Sequence, residues 1–223
     1  MYGSGFLPTD EANLYVTTED QLYLVGTSEV PLAAFRTGEI IEQADLPLRY
    51  AGYSTCFRRE AGTYGKDLGG MFRVHQFDKV EMFSFSTPDG SWDEHEFMVS
   101  MEEEIVQALE LPYRVVNIAA GDLGSAAAKK CDIQVWLPGQ GRYRELTSCS
   151  NYTDYSARRM GTRVRRAGGQ IEVLHTLNGT ATAIGRTLIA ILENHQQADG
   201  SVALPKALHP YLPDPVRELR PRA

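Results

Sequence analysis

The stretch from residue 56 to residue 85 constrains the fold of this chain more than any other. It contains a glycine-rich loop that separates two strand-like segments. The first segment, Leu48–Phe57, contains tyrosine, threonine and phenylalanine, which favour β-strands. The second segment, residues 73–86, is a longer run of the same kind. The loop at 58–72 is too rich in glycine to favour either regular state. The sequence therefore predicts a hairpin with a long loop.

The second strand of this hairpin has a composition that indicates a binding surface. Side chains at alternate positions of a strand share one face. On one face this strand would carry Arg73, His75, Phe77, Lys79, Glu81, Phe83 and Phe85. A core face would not hold so many charged groups, and a solvated face would not need the aromatic rings. The mixture suits a floor on which a ligand stacks and is oriented, with Arg58 and Glu60 within reach above it.

The remaining segments define the fold class. Strands are predicted at 14–16, 21–26, 113–118, 131–137, 142–150 and 170–177. Helices are predicted at 27–36, 92–109 and 181–195, and a turn at 178–180. The last helix is expected to bury a stripe formed by Ile184, Leu188, Ile191 and Leu192. Short links between successive strands favour an antiparallel sheet flanked by helices, which is an α+β fold. No GxGxxG follows a strand, so a dinucleotide-binding α/β fold is excluded.

The composition is that of an ordinary globular chain. The 223 residues are 43% hydrophobic and 23% charged, which favours one domain over residues 1–223. The net charge of -7 gives no general attraction to nucleic acid. Three scattered cysteines predict neither a disulfide framework nor a zinc site. Because there is no signal peptide and no apolar run of about 20 residues, we expect no membrane association and a cytoplasmic location.

Two polar segments leave alternatives open. Residues 27–29 either begin a helix with Thr27 or Ser28 as its N-cap or present side chains and N–H groups to a ligand, and the two roles are compatible. Residues 154–166 are the one strongly basic stretch. They form either a phosphate-contacting patch or a solvated helix end and loop.

Three segments resemble motifs of a class II aminoacyl-tRNA synthetase in its seryl form. TSEVPL, at 27–32, resembles the segment that holds the amino acid in that family. FRRE, the glycine-rich loop and FRVHQFDKVEMF look like its motif 2, and LNGTATAIGRTLIAILEN, at 177–194, is similar to its motif 3. The resemblance covers essentially the whole chain and corresponds to the C-terminal, catalytic half of the family. It implies an antiparallel class II fold and a serine--tRNA ligase core, with ATP and L-serine as substrates, Mg2+ as cofactor and tRNA(Ser) as acceptor.

The resemblance also implies roles for individual residues. Arg58 would bridge the serine carboxylate and the α-phosphate, and Arg186 would contact the γ-phosphate, because planar guanidinium groups bind two oxygens of an anion at once. Serine would contact Thr27, Ser28, Glu29, Arg58, Glu81 and Thr180. ATP would contact Arg58, Arg59, Glu60, Val74, His75, Gln76, Phe77, Glu145, Leu146, Thr147, Ser148 and Arg186. Within these sets, Phe77 would stack on adenine, Glu60 would read its amino group and Glu81 would take the substrate ammonium.

The implied metal ligands are Glu145 and Ser148. A carboxylate and a hydroxyl, completed by phosphate and water, form a site that Mg2+ accepts. Strict alternation along a strand places these two residues on opposite faces, so the implied site requires a bulge or a turn between them. The alternative is a surface glutamate and an unrelated hydrogen-bonded serine.

Two features of the family lie outside residues 1–223. These are motif 1, which forms the homodimer interface and supports the active site, and a coiled-coil arm that recognises tRNA. We therefore expect dimerisation and tRNA charging by this chain to be weak or absent. Two other functions stay open: a serine-activating relative that loads a carrier other than tRNA, and a non-catalytic paralogue. Retention of Arg58, Glu60, Glu81, Glu145, Ser148 and Arg186 argues against the paralogue.

Overall fold

The computed structural model describes residues 1–8, 11–61 and 71–221. Its helices are α1 (Glu29–Ala34), α2 (Ser91–Ala108), α3 (Tyr155–Met160) and α4 (Ile184–His195). Its strands are β1 (Tyr15–Val16), β2 (Tyr23–Leu24), β3 (Ile40–Glu42), β4 (Leu48–Phe57), β5 (Gln76–Ser86), β6 (Tyr113–Asn117), β7 (Lys129–Leu137), β8 (Arg142–Asn151), β9 (Arg163–Arg165), β10 (Ile171–Val173), β11 (His175–Ala183), β12 (Val202–Ala203) and β13 (Glu218–Leu219).

Six of the strands form one antiparallel sheet. Their order is β4-β5-β11-β8-β7-β6, and each neighbouring pair is antiparallel. A smaller sheet has the order β10-β9-β3, with β3 and β9 parallel. The predicted α+β class, an antiparallel sheet flanked by helices, is confirmed.

The central hairpin is formed by β4 and β5. Their register runs from Leu48 opposite Phe85 to Phe57 opposite Gln76. The second strand begins at Gln76, three residues later than predicted. The predicted loop at 58–72 includes residues 62–70, which lie outside the described part of the chain.

The two faces of the sheet carry different layers. On one face, Met98 and Val99 of α2 pack on Cys149 and Leu177. A Cβ atom added to Gly179 of β11 would come within 2.8 Å of Glu102 in α2, so Gly179 also faces this helix. Because neighbouring side chains of a strand point to opposite faces, Asn178 and Thr180 face away from α2. That second face is partly covered by a core containing Ala33 of α1 and Ala157 of α3.

The last part of motif 3 differs from the sequence prediction. The predicted turn at 178–180 is wrong, because β11 continues to Ala183 and α4 begins at Ile184. The predicted buried stripe is also wrong in most positions. Ile184, Leu188 and Leu192 are 36%, 47% and 36% exposed, whereas Ile191 is buried. The helix packs through Thr187, Ala190 and Ile191 instead, since small Ala190 allows close approach to the sheet.

The arginines of the basic stretch are largely occupied by nearby carboxylates. Arg165 pairs with Glu42 at 3.0 Å, and Arg166 pairs with both Asp89 and Glu172. This favours the solvated alternative over a phosphate-contacting patch. Among the helices of the described ranges, none combines the length and apolar character needed to cross a bilayer.

Candidate active site

An open cavity lies on the face of the six-stranded sheet opposite α2. Its volume is about 280 Å3, near the lower end for small-molecule sites. The cavity brings together residues from all three motifs. The predicted site residues that line it are Thr27, Glu29, Arg58, Glu60, Val74, Phe77, Glu81, Glu145, Leu146, Thr147, Ser148, Thr180 and Arg186.

Four predicted site residues do not line this cavity: Ser28, Arg59, His75 and Gln76. The Ser28 hydroxyl donates to the carbonyl oxygen of Gly52 at 2.9 Å, so it fixes α1 to β4. His75 Nδ1 lies 2.8 Å from the Tyr15 hydroxyl. Successive side chains of extended backbone point in opposite directions, so 74–77 cannot all face one ligand. A binding role for these four side chains stays a prediction.

Two buried carboxylates form one end of the cavity. Glu29 in α1 is 5% exposed, and Glu81 in β5 is 1% exposed. Asn178 Nδ2 donates to one oxygen of each carboxylate, at 3.1 Å in both cases. Lys79 Nζ lies 2.5 Å from Glu81 Oε2, and Thr180 donates to the same oxygen at 3.2 Å. Glu81 is thus well paired, whereas Oε1 of Glu29 makes no hydrogen bond within the described residues.

The two carboxylates differ in their electrostatic surroundings. Burial, and next the charge of Glu81, raise the pKa of Glu29 from 4.5 to about 7, against the opposing effects of Lys79, Tyr152 and Arg58. Glu29 is therefore only partly ionised near neutral pH. A ligand with an ammonium group would favour the charged form, because an opposite charge lowers the pKa of a carboxyl.

Arg58 follows the end of β4 and lies against the floor of the cavity. Its Nε donates to the carbonyl oxygen of Gly26 at 3.1 Å, and its guanidinium carbon is 5.3 Å from the ring centre of Phe77. These contacts fix the plane of the guanidinium. Its two Nη groups make no protein hydrogen bond in the ranges 1–8, 11–61 and 71–221. They remain suited to donating a pair of parallel bonds to a carboxylate or a phosphate.

Positive charge is concentrated at the other end of the cavity. The guanidinium carbon of Arg186 lies 4.8 Å from the ring centre of Phe72, over its face. Burial lowers the pKa of Arg186 below its ordinary value. The charge of Glu145 opposes this shift, and the charges of Arg73, Arg58 and Arg144 add to it. A polyanion bound among these arginines would relieve their mutual repulsion.

Glu60, next to this cluster, has an unusual backbone conformation. Its φ is +52°, in the left-handed region that residues other than glycine seldom adopt. Its carboxylate pairs with Arg73. Backbone strain of this kind is maintained by the surrounding structure and often accompanies a binding site.

A β-bulge brings Glu145 and Ser148 to the same face. Asp132 of β7 lies opposite Ser148, but Gln134, two residues further along, lies opposite Glu145. β8 therefore contains one extra residue, Leu146, between them. The bulge that the resemblance requires is present, and both side chains line the cavity.

The donor set at this bulge fits a magnesium ion. A carboxylate and a hydroxyl are oxygen ligands of the kind that Mg2+ prefers. In the part of the chain that the structure describes, no group of three or more His, Cys, Asp or Glu side chains could hold a metal ion. Bound phosphate and water would therefore have to supply several ligands of an ion held by Glu145 and Ser148.

Some residues of the site were not assigned a role from sequence. Asn178 connects Glu29 to Glu81, whereas the sequence predicts a turn at 178–180. Lys79 was placed on the correct strand face, but its pairing with Glu81 depends on burial that periodicity does not reveal. Together these residues make one end of the cavity suited to an ammonium group, while the other end is suited to a polyanion.

Comparisons with known proteins agree with this geometry. Residues 14–195 match the family described as tRNA synthetase class II core domain (G, H, P, S and T). A serine--tRNA ligase of Streptomyces coelicolor is 56% identical over 212 residues, which are 95% of this chain and 50% of the relative. A serine--tRNA ligase of Acidothermus cellulolyticus is 55% identical over 222 residues, covering 100% of this chain and 52% of the relative.

Solved structures give the same result. The crystal structure of seryl-tRNA synthetase from Pyrococcus horikoshii complexed with ATP has a TM-score of 0.93 and 50% identity, over 99% of this chain and 49% of that one. The cytoplasmic serine-tRNA ligase from Naegleria fowleri in complex with AMP has a TM-score of 0.88 and 44% identity, over 95% of this chain and 50% of that one. The chain spans about half the length of these relatives.

Proposed function

Because the chain belongs to the tRNA synthetase class II core family, we propose that its cavity binds L-serine and ATP and joins them as seryl-adenylate. One observation carries the proposal: Arg58 lines a single cavity together with a buried carboxylate pair and a cluster of arginines. A cationic amino group and a polyphosphate would each find the opposite charge there. The two relatives solved with ATP and AMP support a nucleotide as one of the ligands.

The carboxylate end would select serine. Glu81 and Glu29 would attract the ammonium group, and Thr180 and Asn178 offer polar partners close to a small side chain. A site whose buried polar groups pair with a substrate hydroxyl rejects an analogue that lacks it, because those groups then remain unpaired. The small volume would reject larger side chains.

The other end would hold ATP. Phe77 and Glu60 both line the cavity; the ring of Phe77 would stack on adenine, and Glu60 would accept a hydrogen bond from the adenine amino group. Arg186 would contact the terminal phosphate. Glu145 and Ser148 would hold Mg2+, which when bound would neutralise phosphate charge.

The reaction requires positioning more than proton transfer. A carboxylate oxygen of serine attacks the α-phosphorus of ATP, and the bond from that phosphorus to the oxygen shared with the β-phosphate breaks. Pyrophosphate leaves with the bonding electron pair, and no proton moves in this step. Arg58 would hold both anions in line and balance the charge between them, which is how enzymes accelerate phosphate substitution.

We also propose a later step, transfer of serine from the adenylate to tRNA(Ser). This step belongs to the activity of proteins about twice as long as this chain, and it rests on the names of the relatives. The homodimer of the family, dependence on Mg2+ and a cytoplasmic location likewise stay predictions for this chain.

The test is serine-dependent exchange of radioactive pyrophosphate into ATP. We expect exchange by the wild-type chain and a loss of at least about 100-fold in Arg58→Ala, as for removal of one preorganised donor from a charged transition state. Arg165→Ala is the matched control, because Arg165 pairs with Glu42 on the small sheet, away from the cavity.

The outcomes separate the alternatives. Exchange that survives Arg58→Ala contradicts the assigned role of Arg58. A folded wild-type chain without exchange shows that residues 1–223 alone do not form the adenylate, and failure to bind a non-hydrolysable seryl-adenylate analogue in calorimetry would also refute a binding role. If a longer homologous protein catalyses pyrophosphate exchange but does not transfer serine to tRNA, a carrier other than tRNA is favoured.

A further inference from the structure

Asp132 of β7 occupies a position beside the predicted metal ligands that sequence analysis did not assign. It lies directly opposite Ser148 in the register of β7 and β8. Residues directly opposite each other in an antiparallel pair have Cβ atoms about 4.5–5.5 Å apart, on one face of the sheet. Ser148 lines the cavity, so Asp132 shares the face that carries it.

The carboxylate of Asp132 is buried and incompletely paired. Asp132 is 5% exposed, and by hydrogen-bond geometry its Oδ1 has no donor within residues 1–8, 11–61 and 71–221. Lys130 Nζ lies 3.3 Å from this oxygen, as an ion pair. Glu145 is close enough for its negative charge to act on Asp132. These two carboxylates lie near each other, and Lys130 is the ion-pair partner of the buried one, so a divalent cation and its waters would balance the remaining negative charge.

We propose that Asp132 is a metal-positioning residue, whose carboxylate accepts a hydrogen bond from a water bound to the magnesium ion held by Glu145 and Ser148. This inference rests on the proposed function. Mg2+ retains several waters when only one or two protein groups bind it, and these waters need oriented acceptors. Asp132, opposite one ligand and near the other, is suited to orient such a water.

A competing explanation is that Asp132 serves only to neutralise Lys130. The two explanations predict different signs for nucleotide binding. If Asp132 positions the metal, neutralising its carboxylate weakens binding of the metal. It does not weaken binding of metal-free ATP, because a negative charge near a polyanion has been removed. If Asp132 only holds Lys130 and the local structure, its loss weakens nucleotide binding with or without metal.

The experiment measures two affinities in Asp132→Asn, Lys130→Met and the wild-type chain. Binding of a non-hydrolysable ATP analogue is measured by calorimetry in a chelating buffer, and binding of Mn2+ to the protein–analogue complex is measured by electron paramagnetic resonance. We expect Asp132→Asn to weaken Mn2+ binding by about 10- to 100-fold, the usual effect of losing an outer partner of a metal site. Its metal-free affinity for the analogue should be unchanged or higher.

Lys130→Met is the matched control, because it breaks the same ion pair without removing the carboxylate. Because Lys130 lines the cavity, its loss removes a positive charge near the site, so Mn2+ affinity should be unchanged or higher. Equal loss of Mn2+ affinity in both variants, or no loss in Asp132→Asn, overturns the inference. If the wild-type chain fails to bind the analogue both with metal and in the chelating buffer, the proposed function is contradicted instead, so the two failures are distinguishable.

Discussion

Replacing Glu29 with glutamine should favour the folded state more at pH 8 than at pH 5 while weakening serine binding. Glu29 is buried beside Glu81, and this environment raises its pKa to about 7. A carboxyl whose pKa is higher in the folded state contributes its full stability below the unfolded pKa, near 4.5, and loses it as the pH rises through about 7. Glutamine carries no charge at any pH and escapes this loss.

The magnitude follows from the two pKa values. Linkage between 4.5 and about 7 destabilises the wild-type fold by roughly 3 kcal/mol at pH 8 but by only roughly 1 kcal/mol at pH 5. The stability of Glu29→Gln relative to the wild type should therefore be roughly 2 to 3 kcal/mol greater at pH 8 than at pH 5. A constant contribution from an unpaired amide group, about 1–3 kcal/mol, cancels in this difference.

The assay is urea unfolding of both proteins at pH 5 and pH 8. Glu104→Gln, on the exposed side of α2, is the control for exchanging a carboxylate for an amide. Serine affinity, measured by calorimetry at pH 8, should fall by about tenfold or more in Glu29→Gln because a charged partner of the ammonium is lost. A stability difference that does not grow with pH would refute the assignment of a desolvated charge to Glu29.

Two further substitutions test the packing around the site. Gly179→Ala should cost about 1–3 kcal/mol in urea unfolding, because the new Cβ atom would lie 2.8 Å from Glu102 Oε1 and 3.3 Å from Cys149 Sγ; an unchanged midpoint would contradict that close approach. On α4, Leu188→Gln should change stability by less than about 0.5 kcal/mol, since Leu188 is 47% exposed. Ile191→Ala should lower the free energy of unfolding by about 2–5 kcal/mol. Equal losses of stability in the two α4 variants would instead support the buried stripe predicted from sequence.

The sequence predicts the hairpin and much of the site because both depend on local patterns. β4 and β5 have strongly β-prone residues, and the charged face of β5 is visible as alternation. The resemblance to the seryl form is confirmed, and the bulge that it requires between Glu145 and Ser148 is present. The course of the chain after 177 was not predictable in the same way. Its strand continues through an Asn-Gly pair because Asn178 is held by two buried carboxylates that are distant in sequence.

The face of α4 illustrates the limit of periodicity. Ile184, Leu188 and Leu192 are spaced as a buried stripe would be, but the helix turns Ala190 and Ile191 towards the sheet. Two overlapping apolar stripes fit the same residues, and helical spacing alone does not choose between them. The shape of the facing sheet decides between them. Ile133, Val135 and Leu137 of the sheet pack against the helix face that carries Ala190 and Ile191.

The irregular parts of the sheet coincide with the proposed site. β8 bulges at Leu146, β11 shifts its register on β5 between Thr180 and Thr182, and β11 pairs with β8 only from Leu177 to Gly179. Where these two strands separate, the Thr147 hydroxyl donates a hydrogen bond of 2.8 Å to Glu102 of α2, which lies on the opposite face of the sheet. A regular ladder would leave no opening and would keep alternate side chains on opposite faces. The bulges therefore suit the proposed chemistry, because they turn side chains from neighbouring strands towards one cavity.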